Sequence, residues 1–574
     1  MEIDCSLLVE TRYALHVIIS WRLGVCWTGE ESRSTKRSMA ECELHGFCTN
    51  INEYTQCYVF FCVAVLVVVN FFVHVPNLQN MVTFLRGVMH MGVSDSSTTV
   101  TNFIGAMCGF ALLGAFLSDS YITCSRTMLL SVPLVILGYG LLTLQVYLPS
   151  LHPPHCKPEA EPSICKEVHG WRAGLMYVAL YSIALGEGIM RACIPALGAD
   201  QFDVEDPSEA RQQSSFFNWF TFCLSVGSIA GLILIVWLEN IKGWVVGFGL
   251  SALLILLGLL VAAAGLPFYR NRVPQGSALT RVLQVFVVAF KNRKLNRTIM
   301  DEPHQNSSGI GSQESLLATN NSLKFLDKAC INTGRHGAWS ICSVTKVEET
   351  KIVLRLFPVL FSSMLAHVSA PLLVSFTVQQ GMTTDTKIGR VHVYPAMLFV
   401  IPSTFQMLTL LVYDCFLVPL LRRRTGYLGG ITHLQRVGVG FLATSLAPAI
   451  AAVIEKKRKD WLLPVDRWLL EFFNSEAPSS MKSIGVALFW CQYGMASLLG
   501  TLLVRLVNEV TRHNSGRGWL EGQTLNSSHL DLFYWVVTAV ASFGLLNYLY
   551  WAKRYKYRHD PRIAVKSANE DSIP

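Results

Sequence analysis

Long apolar runs separated by short polar segments are the main feature of this 574-residue chain. A helix needs about 20 predominantly apolar residues to cross the hydrocarbon core of a bilayer. Eleven runs close to that length cover residues 57–75, 99–118, 127–147, 173–197, 217–238, 244–266, 352–378, 393–419, 434–454, 483–507 and 531–551. The pattern therefore predicts an all-α polytopic membrane protein.

A polar stretch rich in Asn, Ser, Lys and Arg divides the runs into two groups, which favours two helical bundles joined by a linker. Most of this stretch has the composition of a disordered tether, and residues 278–292 predict an amphipathic helix. The predicted division is 1–56 as an atypical N-terminal segment, 57–266 as the first bundle, 267–350 as a cytoplasmic linker, 351–558 as the second bundle and 559–574 as a cytoplasmic tail.

The number of runs in the second bundle conflicts with the charges of its loops. Basic clusters mark cytoplasmic loops, and such clusters follow residue 268, residue 421 and residue 552. An even number of spans must then follow residue 266, yet only five runs are present. The missing tenth helix corresponds to "DWLLPVDRWLLEFF" at 460–473, which is too short to span and contains Asp466 and Arg467. This segment is either a truncated helix or a re-entrant or interfacial stub.

Composition and motifs narrow the class further. The chain is 51% hydrophobic and 15% charged, which excludes an ordinary soluble enzyme of this size. Its net charge of +8 comes from loops beside apolar runs, so it does not indicate nucleic-acid binding. The glycine-rich stretches lack the Gly-Lys-Ser/Thr sequence that completes a phosphate-binding loop. The sixteen cysteines do not show the spacing of metal ligands. We therefore expect no enzyme activity, cofactor or metal.

Two cysteines differ from the rest because they lie in a polar loop. Cys156 and Cys165 occur in "HPPHCKPEAEPSICKE", whereas most others lie inside apolar runs. They are candidates for a disulfide bond if this loop is extracellular.

An acid and a base interrupt one of the apolar runs. Glu187 and Arg191 stand four residues apart in "LGEGIMRACIPALGADQFD", a spacing that lets them pair on one face of a helix. A lone charge inside a bilayer is costly, so such residues usually face a partner or a water-filled cavity. Two interpretations remain, a substrate or proton site in a central cavity and a structural ion pair.

The same stretch contributes to a resemblance that extends from about residue 77 to 558. The motifs in question are "GAFLSDSY", "ALGADQFD", "SFFNWFTFCLSVGS", "VTKVEETKIVLRLFP", "GITHLQRVGVG" and "EFFNSEAPSSMKS". The chain resembles the plant nitrate/peptide transporter family, a branch of the proton-dependent oligopeptide transporters within the major facilitator superfamily. "KGWVVGFG" and "EAPSSMKS" resemble the subfamily that includes abscisic acid, gibberellin and nitrate transporters.

The resemblance implies a major facilitator fold of two six-helix bundles that alternate access to a central site, usually driven by protons. The first helix of the family carries two carboxylates and an arginine for proton coupling, and the positions aligned with them here are Val67, Asn70 and Phe71. The fourth helix carries a lysine, which Arg191 replaces. The usual coupling groups on the first helix are therefore absent.

Two further binding positions are implied by the resemblance. Nitrate-transporting relatives use a histidine on the seventh helix, where this chain has Ala370, with His367 three residues earlier. His367 is either a substitute contact or a structural hydrogen-bond partner. The acid on the tenth helix of the family corresponds to Glu471.

The gating loop after the second helix is also altered. Asp119 matches the acid of the superfamily motif, whereas the usual arginine position is Cys124, with Arg126 two residues later.

These features predict a transporter of a small, anionic solute, with a plant hormone acid ahead of nitrate and peptides. Arg191 would bind the anion, and Glu187, Glu471 and His367 would balance charge or bind a proton. Expected partners are the small-molecule substrate, protons and the lipid bilayer, with the plasma membrane favoured over the vacuolar membrane. The alternative is a membrane sensor that does not transport, or a defective family member, because the coupling motif and the tenth helix depart from the family pattern.

Overall fold

The structure is a computed structural model that describes most of the apolar runs and part of the linker. The described residues are 51–154, 167–202, 207–271, 278–293, 323, 325–330, 339, 341–383, 387–388, 391–425, 432–457, 482–515, 518–521 and 528–554.

Six long helices are present in the described part of the N-terminal half. They are α1 (Ile51–Gly87), α2 (Val93–Ser120), α3 (Cys124–Tyr147), α4 (Trp171–Ala199), α5 (Pro207–Ile241) and α6 (Trp244–Ala264). All six contain a stretch long and apolar enough to cross a membrane. With the basic residues after α6 in the cytoplasm, α2 and α4 begin at the outer face. The six helices coincide with the first six predicted apolar runs.

Within the described part of the linker, one α-helix is present, α7 (Ala278–Lys291). This helix confirms the amphipathic segment predicted at 278–292. Its apolar face packs with a 3₁₀ turn, Leu326–Cys330, against the start of the following helix. Burial raises the pKa of the Cys330 thiol to about 11, so this thiol stays protonated at neutral pH.

The C-terminal half is less regular. Its long helices are α8 (Val344–His367), α9 (Ser369–Gly381), α12 (His433–Lys457), α13 (Lys482–Ser515) and α14 (Leu530–Arg554). Among the described residues, nine segments qualify as membrane spans, and α8 with α9, α12 and α14 supply the three that belong to this half. The predicted tenth-helix segment, 460–473, lies outside the described residues.

The structure divides two of the predicted runs: 352–378 at the junction of α8 and α9, and 393–419 into several shorter elements. The run 393–419 contains a 3₁₀ turn (Pro395–Phe399), α10 (Val400–Val412), a π-helical turn (Tyr413–Leu417) and the start of α11 (Val418–Thr425). Pro395 stands at the first position of the 3₁₀ turn, where a missing N–H costs nothing. Ahead of this region, β1 (Lys387–Ile388) pairs antiparallel with β2 (Val391–His392).

Small residues let α2 pack closely against helices on both sides. A Cβ added to Gly188 of α4 would lie 2.3 Å from the carbonyl oxygen of Met107, and one added to Gly494 of α13 would lie 2.9 Å from that of Gly105. Contacts of this kind replace the hydrophobic effect as the basis of helix association in lipid. Through Gly105 and Gly494, α2 joins the two halves near its middle.

Hydroxyl and amide side chains continue this seam toward the outer end of α2. The hydroxyl oxygens of Ser97 and Ser375 are 2.7 Å apart, as are those of Thr101 and Thr501. Gln379 Nε2 also donates to the carbonyl oxygen of Val93, at 3.1 Å. These contacts join the two halves on the outer side of the crossing between Gly105 and Gly494.

Candidate functional site

A row of polar side chains runs along one face of α1. Asn70, His74, Asn77 and Asn80 follow one another at intervals of three or four residues, which places them on a common helix face. Each of them is at most 3% exposed. We call these four residues the α1 polar row. Because buried polar groups are costly in a bilayer, such a row is a candidate functional region.

Glycines bring Glu187 of α4 against the α1 polar row. A Cβ on Gly186 would lie 2.8 Å from the carbonyl oxygen of Ser131 on α3, and Gly188 contacts α2, so α4 is closely packed on two sides. Glu187 itself is fully buried. Asn70 Nδ2 donates to Glu187 Oε1 at 3.0 Å.

His74 lies between Glu187 and Arg191. Its Nδ1 is 3.7 Å from Glu187 Oε2, and its Nε2 is 2.8 Å from Arg191 Nη2. Between these two described residues the structure shows no direct ion pair, and the imidazole of His74 connects the acid to the base instead. The spacing of Glu187 and Arg191 on α4 does not predict this contact with His74 of α1.

The contact with arginine fixes the protonation state of His74. A guanidinium only donates hydrogen bonds, so Nε2 of His74 must accept. A neutral imidazole then carries its proton on Nδ1, which faces Glu187 Oε2. A second ring proton would point at the guanidinium. His74 is therefore neutral in this arrangement.

Arg191 also contacts the other half of the protein. Its guanidinium carbon lies 4.3 Å from the centre of the Trp490 ring on α13, a cation–π contact. Arg191 Nε is buried and has no hydrogen-bond partner. Arg191 therefore has a hydrogen-bond donor that no described group accepts, next to the Trp490 ring.

Aromatic rings connect Arg191 to His367 on α8. The Trp490 and Tyr493 rings are 6.4 Å apart, and the Tyr493 and His367 rings are 5.7 Å apart. The His367 ring also meets Phe441 edge-on at 5.4 Å. The charged cluster and His367 therefore belong to one region that both halves line.

The other two positions aligned with the coupling motif, Val67 and Phe71, are packed among apolar groups. Val67 is 1% exposed, and the Phe71 ring meets Phe220 edge-on at 6.4 Å. Of the three aligned positions, Asn70 alone contacts Glu187 in the described structure. Glu471, Cys156 and Cys165 lie outside the described residues.

The altered gating loop lies at the inner end of α2 and α3. Cys124 Sγ donates to the carbonyl oxygen of Cys193 on α4 at 3.4 Å, so it packs where the family has an arginine. Arg126 is exposed, and Asp119 is partly buried. These two residues stay candidates for a gating contact that forms in another conformation.

A cavity of about 560 Å³ opens at the outer ends of α2 and α4. Asp95, Glu167, His169 and Arg505 contribute its charged or titratable lining. Neither Glu187 nor Arg191 lines this cavity, so it is separate from the buried charges. Across the described ranges, no three His, Cys, Asp or Glu side chains are grouped as metal ligands.

Comparison with known proteins identifies the family. The sequence profile of the POT family matches residues 125–468. The chain belongs to the POT family. Among POT relatives in Arabidopsis thaliana, it is 36% identical over 539 residues to Protein NRT1/PTR FAMILY 4.6, covering 84% of this chain and 91% of the relative. It is also 36% identical over 520 residues to Protein NRT1/PTR FAMILY 4.5, covering 84% and 90%.

Solved POT transporters share the fold. An auto-inhibited POT family peptide transporter superposes with a TM-score of 0.60 at 17% identity, covering 88% of this chain and 98% of that one. The POT family transporter PepTSo gives a TM-score of 0.59 at 16% identity, covering 90% and 99%. The predicted major facilitator architecture is therefore confirmed, and this POT protein is a multi-pass membrane transporter.

Proposed function

We propose that this transporter moves a small organic anion together with a proton, with Arg191 as the anion ligand and Glu187 as the proton site. The observation that supports the proposal is the buried chain Asn70–Glu187–His74–Arg191 between α1 and α4, covered by Trp490. It provides the two groups that symport requires, a fixed cation and a titratable acid, although the usual first-helix carboxylates are missing.

The acid lies on a different helix from the carboxylates of the family pattern. In the family pattern the carboxylates lie on the first helix and the cation on the fourth, whereas here α4 carries both and α1 supplies the neutral partners Asn70 and His74. The acid still lies at the packing surface of α1 and α4. The missing motif, which favoured a sensor or a defective protein, is thus compensated by Glu187.

Charge balance couples the two ligands. With Glu187 ionised and His74 neutral, the negative carboxylate balances Arg191, and the cluster has no net charge. When Glu187 binds a proton, Arg191 is left as an uncompensated cation inside the bilayer, which favours binding of an anion. Proton and anion therefore bind together, and each raises the affinity for the other.

Trp490 is the group that the anion displaces. A cation–π contact stabilises by roughly 0.5–2 kcal/mol, whereas hydrogen bonds between an arginine and a carboxylate are stronger, at about 1.5–3 kcal/mol. A carboxylate can therefore replace the ring. The aromatic surroundings, Trp490 with Tyr493 and Phe441, favour an organic acid with an apolar body over nitrate.

Glu187→Gln tests the proton site. We expect uptake by the wild type to rise as external pH falls, and we expect the variant to lose this dependence. Accumulation should fall about 5- to 150-fold, the range of a coupling free energy of 1–3 kcal/mol. Exchange of substrate at equal pH on both sides should persist, because Arg191 remains. The assay is uptake by oocytes with a panel of abscisic acid, gibberellins, nitrate and dipeptides.

Glu509→Gln is the matched control, since the Glu509 side chain is 75% exposed and pairs with Arg512. It should behave as the wild type. A Glu187→Gln protein that reaches the surface and retains the wild-type pH profile would contradict the proposal. We also propose the plasma membrane as the site of transport, which imaging of a fluorescent fusion beside plasma and vacuolar membrane markers can check.

A further inference from the structure

A second glutamate is buried in the N-terminal half, near the outer end of α5. Glu239 is 1% exposed and lies within the last turn before the loop to α6. Asn80 Nδ2, from the α1 polar row, donates to Glu239 Oε2 at 2.7 Å. A Cβ on Gly247 of α6 would lie 2.3 Å from Glu239 Cγ, so a glycine of the neighbouring helix makes room for this side chain.

Two oxygen atoms at the contact between Glu239 and Asn80 form no hydrogen bond. Glu239 Oε1 and Asn80 Oδ1 are both buried and have no partner. Both atoms are acceptors when the acid is ionised, and a buried unpaired acceptor is costly. A proton on Oε1 would turn that oxygen into a donor. A carboxylic acid and a primary amide can then form two hydrogen bonds to each other, and the second of them uses the two oxygens that are now unpaired.

The charged and titratable groups around Glu239 do not compensate a negative charge. Lys242, three residues later and just beyond the end of α5, is exposed, and Arg86 lies in the last turn of α1. In the part of the chain that the structure describes, neither forms an ion pair with Glu239. Tyr139 of α3 is the titratable group within electrostatic range. An ionised Glu239 would therefore be a buried anion held by one amide, which is unfavourable.

The α1 polar row connects this acid to Glu187. Asn70 and His74 contact Glu187, Asn80 contacts Glu239, and Asn77 lies between them and donates to Ser251 of α6 at 2.9 Å. Asn77 Oδ1 is another buried acceptor without a partner. The row spans ten residues, roughly 15 Å of helix. Tyr139 lies within electrostatic range of both glutamates.

We propose that Glu239 is a second proton-binding site, an outer station that receives protons from the external side and passes them along the α1 polar row to Glu187. The ligand is the proton itself, delivered by external water. The inference rests on the proposed function, because it supplies the proton that Glu187 uses. The unpaired acceptors along the row are the positions where water or a mobile proton completes the path.

Glu239→Gln tests the station while preserving its shape. The amide can still exchange two hydrogen bonds with Asn80, but it cannot titrate. After a sudden drop in external pH, we expect proton-driven uptake by reconstituted protein to start at least about tenfold more slowly than in the wild type, a modest loss for removal of a proton-transfer group. Exchange of substrate at equal pH should be unchanged.

Glu455→Gln is a closely matched control. Glu455 is 2% exposed and accepts a hydrogen bond from Gln380 Nε2 at 2.7 Å, yet it lies on α12, away from the α1 polar row. Its variant should keep wild-type kinetics. Size-exclusion chromatography of each variant in detergent checks that the protein is folded.

Infrared spectroscopy of the purified protein in lipid gives a readout independent of transport. The carbonyl band of a protonated carboxylic acid should weaken in Glu239→Gln. If this band and the pH-jump response both match the wild type while Glu187→Gln still abolishes pH dependence, the outer station is overturned and the proposed function stands. If uptake by the wild type does not depend on pH, the proposed function is contradicted, and so is the role of Glu239 as a second proton-binding site.

Discussion

The two halves of the transporter contribute different chemistry to the same region. The N-terminal half supplies charge and hydrogen bonds, through Glu187, Arg191 and the α1 polar row. The C-terminal half supplies rings, from Trp490 and Tyr493 to His367 and Phe441. Under the proposed function, the N-terminal half binds the anionic head group of the substrate and the C-terminal half contacts its apolar body. It follows that substitutions in the two halves should affect transport in different ways.

The largest effect is expected from removal of the cation. Arg191→Ala should raise the KM for every anionic substrate by about 10- to 100-fold, the equivalent of losing charge-assisted hydrogen bonds of about 1.5–3 kcal/mol. Arg191→Lys should lie between this variant and the wild type, because it keeps the charge but loses the planar fork. Concentration-dependent uptake of an organic acid and of nitrate measures both. Arg505→Ala, which removes an exposed arginine of α13, is the control. Wild-type KM values in Arg191→Ala would contradict the assignment of anion binding to the N-terminal half.

An intermediate effect is expected from the ring that covers the arginine. Trp490→Leu should lower the ratio of organic-acid to nitrate uptake by about three- to tenfold, within the range of a cation–π contact and its apolar surroundings. Total uptake should survive, in contrast to Arg191→Ala. The measurement is competition between the two substrates in one assay, with Trp339→Leu in the linker as the control. If both substrates lose uptake equally, the ring has no selective role.

The smallest effect is expected at the seam between the halves. Thr101→Val leaves the Thr501 hydroxyl without its partner at 2.7 Å. The loss of about 1 kcal/mol corresponds to a shift of roughly fivefold toward the outward-open state. The apparent KM for external substrate should fall by a similar factor. The double variant Thr101→Val/Thr501→Val should return toward the wild type, since it leaves no unpaired hydroxyl. Equal KM values in the single variant and the wild type would show that this pair does not hold the outer face closed.

Much of the fold could be predicted because lipid imposes simple requirements on sequence. Apolar runs of sufficient length correspond to α1 to α6, and the amphipathic period at 278–292 corresponds to α7. The run 393–419 was predicted as one span, but Pro395 and the π-helical turn at Tyr413–Leu417 divide it. Length and hydropathy carry no information about such a break, which depends on local backbone hydrogen bonding.

The site could be predicted in part. The spacing of Glu187 and Arg191 places them on one face of α4, and the aligned position Asn70 does contact Glu187. His74 was missed, because its partner stands 117 residues away and helix spacing reveals only local pairs. A signal was nevertheless present: polar residues recur every three or four positions through the apolar α1. Trp490 carried no comparable signal, since a tryptophan near a helix end is ordinary in a membrane protein.

The contact of Gly105 with Gly494 has a mechanical consequence. The backbones of α2 and α13 meet there at the distance set by a missing Cβ, so the crossing is a natural fulcrum. Val93, at the outer end of α2, is twelve residues away, or roughly 18 Å along the axis. On such a lever each degree of tilt moves the helix end by only about 0.3 Å. Opening the outer face therefore requires many degrees of rotation, while the fulcrum itself hardly shifts and the two halves stay in contact at the centre of the membrane.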